Sequence, residues 1–364
     1  MKVTDLDTPA VLIDVDVMER NLCRLASYCA EHKLKLRPHT KTHKIPELAK
    51  MQVEHGAAGI TVAKLGEAEV MADAGLDDIL IAYPILGEQK RQRLVSLARR
   101  VNVTVALDSV EVAREISDDA VVNEVTIGVR GEFDTGMGRC GMPIEESSIA
   151  AVREIHDLPG LEWRGIQLYP GHIMATARER LGLIEQENQK LARLWDLLRS
   201  AGIDYPDVSG GNTPAAYLSH HFIGVTEIRP GTYIFNDKNT VCSEAATYED
   251  CAVTVLARVV SRSVRGKAII DAGSKTLSGD LLLTGDRRGY GHMLGYPDVY
   301  IADLSEEHGH VNLHGSAREP RLGELVRVVP NHVCPCVNMH DRAFGVQGEH
   351  VVCEWRIAGR GKVQ

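Results

Sequence analysis

The sequence lacks a surplus of positive charge and lacks long hydrophobic runs. Its 41 Lys and Arg residues are outnumbered by 50 Asp and Glu residues, which gives a formal net charge of -9. A chain of this charge has no basic surface for a polyanion, so we expect no nucleic-acid partner, although small anions remain possible ligands. No apolar run approaches the length needed to span a bilayer, so we expect no membrane partner.

The N-terminal sequence lacks a secretion signal, and the cysteines lack the spacing of a disulfide framework. The start "MKVTDLDTPAVLID" has no charged segment followed by a long apolar core, so we expect a cytoplasmic protein. The eight cysteines are scattered along the chain, so reduced thiols are the expected state. With 364 residues, 44% of them hydrophobic, the chain is long enough for two domains.

In the first two thirds of the chain, short β-branched runs alternate with amphipathic segments. This alternation is typical of βα units around a parallel sheet. Two amphipathic segments, 65–75 and 177–202, end on glycine as helices often do. Eight strand-helix repeats favour a (β/α)8 TIM-type barrel, and a doubly wound open sheet is the alternative because periodicity does not reveal closure. The predicted strands are 34–39, 58–63, 78–84, 103–108, 125–130, 164–170, 205–211 and 226–231.

The sequence pattern changes near Phe235. From there on the chain is dominated by strands and turns, which predicts a second, all-β domain. We therefore expect a barrel at residues 16–235 and a β-domain at residues 236–364. The strand-like segment 1–15 could belong to either domain, and we assign it to the β-domain.

The segment "LRPHTKTHK", residues 36–44, concentrates basic side chains in an otherwise acidic chain. Read as an extended strand, it turns four side chains to one face: Arg37, His39, Lys41 and His43. Lys41 would then lie at the carboxyl end of the first barrel strand, where barrel active sites lie. Its positive neighbours would lower the pKa of its amine and free it as a nucleophile for imine chemistry. A solvated basic turn is the alternative.

Two Gly-rich loops follow the last two predicted barrel strands and offer backbone N–H groups to a phosphate. They are "VSGGNTPA" at residues 208–215 and "RPGTYIFND" at residues 229–237. Phosphate sites are frequent at these places in barrels, although a Gly-rich loop by itself is more often only a turn. The cofactor-binding residues predicted here are Ser209, Gly210, Gly211, Thr213, Gly231, Thr232 and Tyr233.

Two further candidates for chemistry lie after other predicted barrel strands. Arg139 follows the fifth strand, where it could hold the ring oxygen of the cofactor or the substrate carboxylate. Tyr169 follows the sixth strand, where it could contact the cofactor. A surface arginine and a half-buried aromatic ring are the alternatives.

The C-terminal motif "PNHVCPCVNMH" contains a predicted metal site. Its residues His332 and Cys334 share one face of an extended run, and an imidazole with a thiolate suits zinc that keeps open coordination positions for catalysis. Cys336 is a competing ligand, and a buried cysteine with a core histidine is the alternative.

Together, the motifs "RPHTKTHK", "GITVAKLGEAEVMADAGLDDILIAYP", "GGNTPA", "RPGTY" and "PNHVCPCVN" resemble the D-serine dehydratase and D-threonine aldolase group of fold-type III pyridoxal-phosphate enzymes. The resemblance spans nearly the whole chain. It implies an alanine-racemase-like barrel with a C-terminal β-domain, usually as a homodimer. It also implies pyridoxal 5'-phosphate on Lys41, Tyr169 against the cofactor, and a divalent metal on His332 and Cys334. Zinc is the expected metal, with magnesium or manganese as alternatives, and the implied catalytic residues are Lys41, Arg139 and His39.

The activity that this resemblance implies is β-elimination of water from a 3-hydroxy-D-amino acid to give an oxo acid and ammonia. The His-x-Cys pattern resembles the dehydratase members, whereas the D-threonine aldolases tend to carry Asp in place of the cysteine. The alternative is retro-aldol cleavage to glycine and an aldehyde, with His308 or His310 as the base. An amino-acid racemase and a non-catalytic pyridoxal-phosphate carrier are more distant alternatives.

Overall fold

The computed structural model describes residues 1–283 and 289–364 of the chain. Its first strand, β1 (Ala10–Asp14), leads directly into the first helix, α1 (Val15–Glu31). Asp14 ends the strand and caps the helix, because its carboxylate accepts a hydrogen bond of 3.0 Å from the N–H of Val17. β1 lies outside the barrel and pairs with strands from the C-terminal third of the chain.

Eight parallel strands form the barrel. They follow one another around the sheet in chain order, with the last beside the first. The ring closes where the Ala58 N–H donates to the Leu36 carbonyl and the Thr61 N–H donates to the Pro38 carbonyl, each at 2.8 Å. The predicted (β/α)8 barrel is therefore confirmed, and the open doubly wound sheet is wrong. The strands are β2 (Lys35–Leu36), β3 (Ile60–Val62), β4 (Asp78–Ile81), β5 (Asn102–Leu107), β6 (Ile127–Phe133), β7 (Leu161–Leu168), β8 (Val208–Gly210) and β9 (Glu227–Ile228).

Helices follow the first six barrel strands, and short 3-10 turns follow the last two. The two helices predicted from amphipathic segments end as expected before Gly75 and Gly202, whose φ values of +90° and +65° suit glycine. The helices are α2 (Pro46–Glu54), α3 (Leu65–Asp73), α4 (Glu88–Ala98), α5 (Val110–Val122), α6 (Glu146–Asp157) and α7 (Ala177–Ser200). The 3-10 turns of the barrel region are Thr40–Thr42, Ala216–His221 and Thr232–Ile234.

Apolar side chains on the outside of the barrel strands pack against these helices. Ile60, Ile79 and Val105, from neighbouring strands, are fully buried in one core with Leu94 of α4. Removal of each such side chain from water stabilises the folded state by about 1.5–3 kcal/mol. None of the helices in the described ranges is long and apolar enough to cross a membrane.

The C-terminal third of the chain forms a separate, mostly antiparallel sheet. β1 lies within it, antiparallel to β10 and parallel to β16. Its other strands are β10 (Val253–Ser261), β11 (Lys267–Ile270), β12 (His292–Met293), β13 (Tyr300–Leu304), β14 (Gly309–Asn312), β15 (Leu325–Val329), β16 (Arg342–Gln347) and β17 (His350–Arg356). Three short helices interrupt this region: α8 (Lys238–Cys242), α9 (Ser274–Leu277) and α10 (Val333–Asn338).

The barrel and the sheet domain share one hydrophobic core. Phe235, at the end of the barrel region, is fully buried among Ile13 of β1, Met18 of α1 and Val333 of α10. Side chains from both ends of the sequence thus fix the sheet domain against the side of the barrel. The domain boundaries drawn from sequence at residues 16 and 235 stay a prediction, since the packing is continuous across them.

A buried carboxylate, Glu227 of β9, joins four strands in the barrel interior. Its two oxygens accept hydrogen bonds of 2.8 Å from Arg37, next to β2, and from Arg130 of β6. The hydroxyl of Ser209 in β8 donates to the same carboxylate at 2.5 Å. Burial by itself would raise the pKa of Glu227, but the charges of Arg130 and Arg37 outweigh it and lower the pKa to about 2.

Replacing this carboxylate by an amide should destabilise the barrel strongly. We expect Glu227→Gln to lower the free energy of unfolding at pH 7 by about 3 kcal/mol, because it removes the negative charge that two buried guanidinium groups share, although Arg37 keeps Asp78. The depressed pKa means that the stabilisation is complete above the pKa of an unfolded Glu, about 4.3, and is lost as pH falls towards 2. Urea unfolding from pH 7 to pH 2.5 should therefore show the two proteins converging in stability below about pH 4.

A matched control is Glu115→Gln, which removes a half-exposed partner of Arg91. Its cost should stay below about 1 kcal/mol, because an exposed ion pair is screened by water. If Glu227→Gln costs no more than this control, or if its cost does not shrink with acid, the carboxylate does not hold the barrel together.

Candidate active site

A cavity of about 530 Å³ lies at the carboxyl ends of the barrel strands, against the sheet domain. Both parts of the chain line it, since its walls come from the loops after the barrel strands and from the start of α10. This volume is in the range of pockets that hold small ligands. Nine of the residues predicted from sequence line it: His39, Lys41, Arg139, Tyr169, Thr213, Gly231, Thr232, His332 and Cys334.

The basic segment does not present its side chains on one face, so that expectation is wrong. The ladder of β2 ends at Leu36, and the chain turns into the 3-10 turn that contains Lys41, which breaks the alternation of a strand. Arg37 points into the barrel interior, where Glu227 and Asp78 neutralise its charge. His43 is buried on the other side of the turn. Of the four basic side chains, only those of His39 and Lys41 therefore reach the cavity.

His39 caps the turn that carries Lys41. Its Nδ1 accepts a hydrogen bond of 3.4 Å from the Lys41 N–H. Burial, and then the positive charges of Lys41, Arg229 and Arg139, hold the pKa of His39 well below its usual range. A neutral imidazole with an acceptor nitrogen therefore fixes the backbone of Lys41.

The aromatic ring of Tyr169 lies between two cations at the mouth of the cavity. Lys41 Nζ lies 5.9 Å from the ring centroid, and the guanidinium carbon of Arg139 lies 4.5 Å from it. Both distances fall within the reach of cation–π attraction. Tyr169 thus separates an amine that can form a covalent bond from a guanidinium that can bind an anion.

The loop after β9 touches the turn that carries Lys41, and glycine makes this possible. A Cβ atom on Gly231 would lie 2.8 Å from Thr42 Oγ1 and 2.9 Å from the His39 carbonyl oxygen. Within residues 1–283 and 289–364, the backbone N–H groups of Thr213, Gly231 and Thr232 donate to no protein acceptor. Such free donors beside a cavity suit an anionic group such as phosphate.

Four of the predicted cofactor-binding residues are not among the cavity-lining side chains. Ser209 lies beneath the cavity floor, where it accepts a hydrogen bond of 2.6 Å from Arg229. Tyr233 points into the core, and its hydroxyl accepts a hydrogen bond of 3.1 Å from Gln52. Gly210 and Gly211 end β8, and the φ of Gly211 is +82°, which turns the chain towards Thr213.

The predicted metal ligands enter the cavity from the sheet domain. His332 precedes α10 and Cys334 lies in its first turn, so the expected extended run is wrong; Pro335 is tolerated this early in a helix. The sulfur of Cys334 lies 3.2 Å from Thr42 Oγ1, next to Lys41. Nδ1 of His332 lies 2.7 Å from an oxygen of Asp280, which leaves Nε2 as the ligand atom.

The charges around this pair favour a thiolate. Burial opposes ionisation of Cys334, but His332 and Lys41 outweigh it and lower the pKa of the thiol. Burial would likewise lower the pKa of His332, but Cys334 and two nearby carboxylates raise it to about 9. In the described part of the chain, no third imidazole, thiol or carboxylate completes a three-ligand cluster with them. The donor set therefore fits a borderline divalent ion with open coordination positions.

The residues considered as alternatives lie elsewhere. Cys336 is buried, and its thiol donates to the Thr276 carbonyl oxygen at 3.2 Å, so the competing ligand is turned away from the cavity. His308 and His310 lie at the β13–β14 hairpin and are not among the cavity-lining residues. Neither is placed in this chain to act as a base in the cavity.

Several polar residues of the cavity were missed from sequence, and three of them lie within or directly after barrel strands. Glu132, Gln167 and Arg229 line the cavity and are almost fully buried. Burial raises the pKa of Glu132, in spite of the nearby charges of Arg229 and Arg139. For Glu132 in β6, the available signal was a charged residue inside a barrel strand, since such residues are rarely buried without a partner.

Two protein-family models match the chain. The model described as "Alanine racemase, N-terminal domain" matches residues 13–239, and the "Putative serine dehydratase domain" matches residues 252–346. The first covers α1 and the barrel. The second covers most of the sheet domain, including α10.

Individual relatives align along almost the full chain. The D-threonine aldolase of Arthrobacter sp. is 32% identical over 98% of this chain and 93% of its own length. The D-threo-3-hydroxyaspartate dehydratase of Delftia sp. is 33% identical, covering 90% of this chain and 91% of that protein.

Solved structures superpose on the whole fold. The D-threonine aldolase of Filomicrobium marinum has a TM-score of 0.93 at 31% identity, covering 100% of this chain and 98% of that one. A cysteine-to-alanine variant of the Delftia dehydratase, in the metal-free form, has a TM-score of 0.90 at 31% identity and covers 98% of each chain.

The close approach at Gly231 can be tested by a single methyl group. We expect Gly231→Ala to lower the free energy of unfolding by about 1–3 kcal/mol, because the new Cβ must push apart two backbone segments at the cavity. Urea unfolding measures this cost. The control is Gly182→Ala in α7, where a Cβ meets nothing within 4 Å and alanine favours the helix. Equal stability of the two variants would mean that the loops can separate freely.

Proposed function

Because the chain belongs to the alanine-racemase-like family that includes D-threonine aldolase and D-threo-3-hydroxyaspartate dehydratase, we propose that it is a pyridoxal-phosphate- and metal-dependent lyase. Its proposed reaction is β-elimination of water from a 3-hydroxy-D-amino acid, after which the released enamine takes up water and hydrolyses to an oxo acid and ammonia. The observation that carries this proposal is the convergence of the Lys41 amine and the His332–Cys334 pair on one cavity.

Lys41 would hold the cofactor covalently through its amine. The unpaired N–H groups of Thr213, Gly231 and Thr232 would bind the phosphate, and the ring of Tyr169 would contact the cofactor. When bound, pyridoxal phosphate supplies an electron sink that acidifies the α-hydrogen, and a divalent metal supplies a Lewis acid for the β-oxygen. The full predicted phosphate region comprises Ser209, Gly210, Gly211, Thr213, Gly231, Thr232 and Tyr233.

His332 and Cys334 would hold the metal, with zinc as the first choice. The geometry of His332 supports this assignment, because its contact with Asp280 leaves one ring nitrogen for the ion. The lowered pKa of Cys334 favours the thiolate form that a metal binds. Both side chains line the cavity, so a substrate oxygen could reach an ion held between them.

The remaining groups would orient the substrate and move its protons. When not bonded to the cofactor, the Lys41 amine would accept the α-proton of the substrate. Arg139 is exposed at the cavity mouth and would bind the substrate carboxylate. His39, kept neutral by its buried position, would hold the Lys41 backbone in place through Nδ1.

Retro-aldol cleavage is the second candidate, and the similarity to two D-threonine aldolases favours it. That reaction requires a base for the β-hydroxyl proton. His308 and His310, predicted for that task, lie outside the cavity of this chain, which supports elimination instead. The cytoplasmic location and the homodimer stay predictions, as does the identity of the substrate side chain.

Product analysis with two Lys41 variants tests the reaction and the lysine together. We expect the purified protein to be yellow and to convert D-serine or D-threonine to an oxo acid and ammonia. Lys41→Arg should lose the colour and lower kcat/KM by at least about 1,000-fold, because a guanidinium neither forms the covalent bond nor accepts the proton. Absorbance with and without borohydride, followed by ammonia and glycine assays, provides the measurement.

The matched control is Lys44→Arg, three residues further along. Lys44 forms a buried ion pair with Glu67 and does not line the cavity, so this variant should keep both colour and turnover. If the products are glycine and an aldehyde, the reaction is retro-aldol cleavage and not elimination. A Lys41→Arg protein that stays yellow and active would overturn the whole assignment.

The two cysteines of "HVCPC" provide a test of the metal site. We expect Cys334→Ala to lose one equivalent of bound metal, the one in the cavity, and most activity, and we expect chelator-treated wild-type protein to lose activity as well. Cys336→Ala should retain the metal, because that thiol is bonded to Thr276 away from the cavity, although it should be less stable. Metal analysis of the purified proteins together with kcat gives the answer. Retention of the full wild-type metal content by Cys334→Ala, or its loss only from Cys336→Ala, contradicts the assignment.

A further inference from the structure

A second group of potential metal ligands lies on the outside of the barrel, where α1 meets the end of α2. Glu19 and Cys23 are one turn apart on α1, so their side chains project from the same face. His55 follows the last residue of α2 and faces them. One ligand atom from each of the three residues lies within 4.8 Å of the other two.

The imidazole of His55 is held in the orientation that metal-binding histidines usually have. Its Nδ1 lies 2.7 Å from the carbonyl oxygen of Met51, which also accepts the backbone N–H of His55 at 3.0 Å. That contact requires a proton on Nδ1. In the neutral ring Nε2 then carries the lone pair, and a hydrogen bond from the other nitrogen to a backbone carbonyl is the usual support of a histidine ligand.

Nε2 of His55 points at the carboxylate of Glu19, at 2.7 Å. At this distance a proton lies between the nitrogen and the oxygen, so a metal ion would have to displace that proton and move the two atoms apart. The thiol of Cys23 lies 4.0 Å from the same carboxylate oxygen and is exposed to solvent. In tetrahedral zinc the ligand atoms lie roughly 3.3–3.7 Å apart, so small side-chain shifts would place all three around one ion.

We propose that Glu19, Cys23 and His55 form a metal site for zinc or a similar borderline divalent ion, separate from the His332–Cys334 pair. Imidazole, thiolate and carboxylate are the donor types that such an ion takes, and three of them leave one position for water. The site is accessible, since Cys23 is exposed and the side chain of Glu19 is 44% exposed.

The charges balance when the ion binds. The thiol of Cys23 releases its proton to solvent, and a protonated His55 releases the proton on Nε2. Two positive charges then meet one thiolate and one carboxylate, which makes the site neutral. The ion ties the second and third turns of α1 to the end of α2. Its role is to fasten two helices that lie next to the segment leading to Lys41.

Cobalt(II) binding tests the site in a background without the cavity thiol. In a Cys334→Ala protein, we expect one equivalent of Co²⁺ to bind with a thiolate-to-cobalt absorption band and the visible bands of tetrahedral cobalt. Adding Cys23→Ser should abolish the thiolate band. Adding His55→Gln should weaken binding by more than tenfold, since even loss of an outer-sphere partner costs about 10- to 100-fold.

The control is Cys353→Ser in the same background, because Cys353 is a partly exposed thiol on β17, remote from α1 in the sequence. It should leave the band and the stoichiometry unchanged. Zinc should also raise the melting temperature of the Cys334→Ala protein and not that of the form that also carries His55→Gln. Absence of a thiolate band in the Cys334→Ala protein, or its persistence after Cys23→Ser, overturns the proposal.

Discussion

The barrel depends on one buried carboxylate between two arginines. Glu227 accepts from Arg37 and Arg130, and Ser209 links the same group to Arg229. Removed from water, these charges are tolerated only because each has a partner of opposite sign or a hydrogen bond. The network holds β9 against its neighbours and ends directly beneath the cavity floor. The geometry of the cavity therefore rests on charge pairing inside the barrel as much as on apolar packing outside it.

The loops that follow β9 and β2 bring the reactive groups together. Gly231 lets the loop after β9 approach the turn of Lys41, and Cys334 contacts Thr42 from the sheet domain. A shared core around Phe235 keeps the two domains in this arrangement. The amine and the metal pair thus lie in one cavity although almost 300 residues separate them in the sequence. Chemistry that needs both depends on the packing between barrel and sheet domain.

Local sequence patterns predicted the elements that local forces form. Gly75 and Gly202 marked helix ends because the left-handed conformation there suits glycine, and the eight β-branched runs matched the eight barrel strands. The same reasoning failed at residues 36–44. It assumed that the alternation of a strand continues past Leu36, whereas a 3-10 turn bends the chain at Lys41. The side chain of His39 accepts from the Lys41 N–H and the Thr40 carbonyl accepts from the His43 N–H, and hydrophobic periodicity does not report such bonds.

The sequence by itself determined the barrel, the sheet domain and the presence of an amine and an imidazole–thiol pair in the right motifs, because periodicity and residue chemistry are local properties. Only the tertiary structure decided that Arg37 serves the barrel interior, that Tyr233 and Cys336 point away from the cavity, and that Glu132 and Arg229 line it. The direction of a side chain depends on which distant groups neutralise or bury it. Those partners are set by the closure of the sheet, which no short segment encodes.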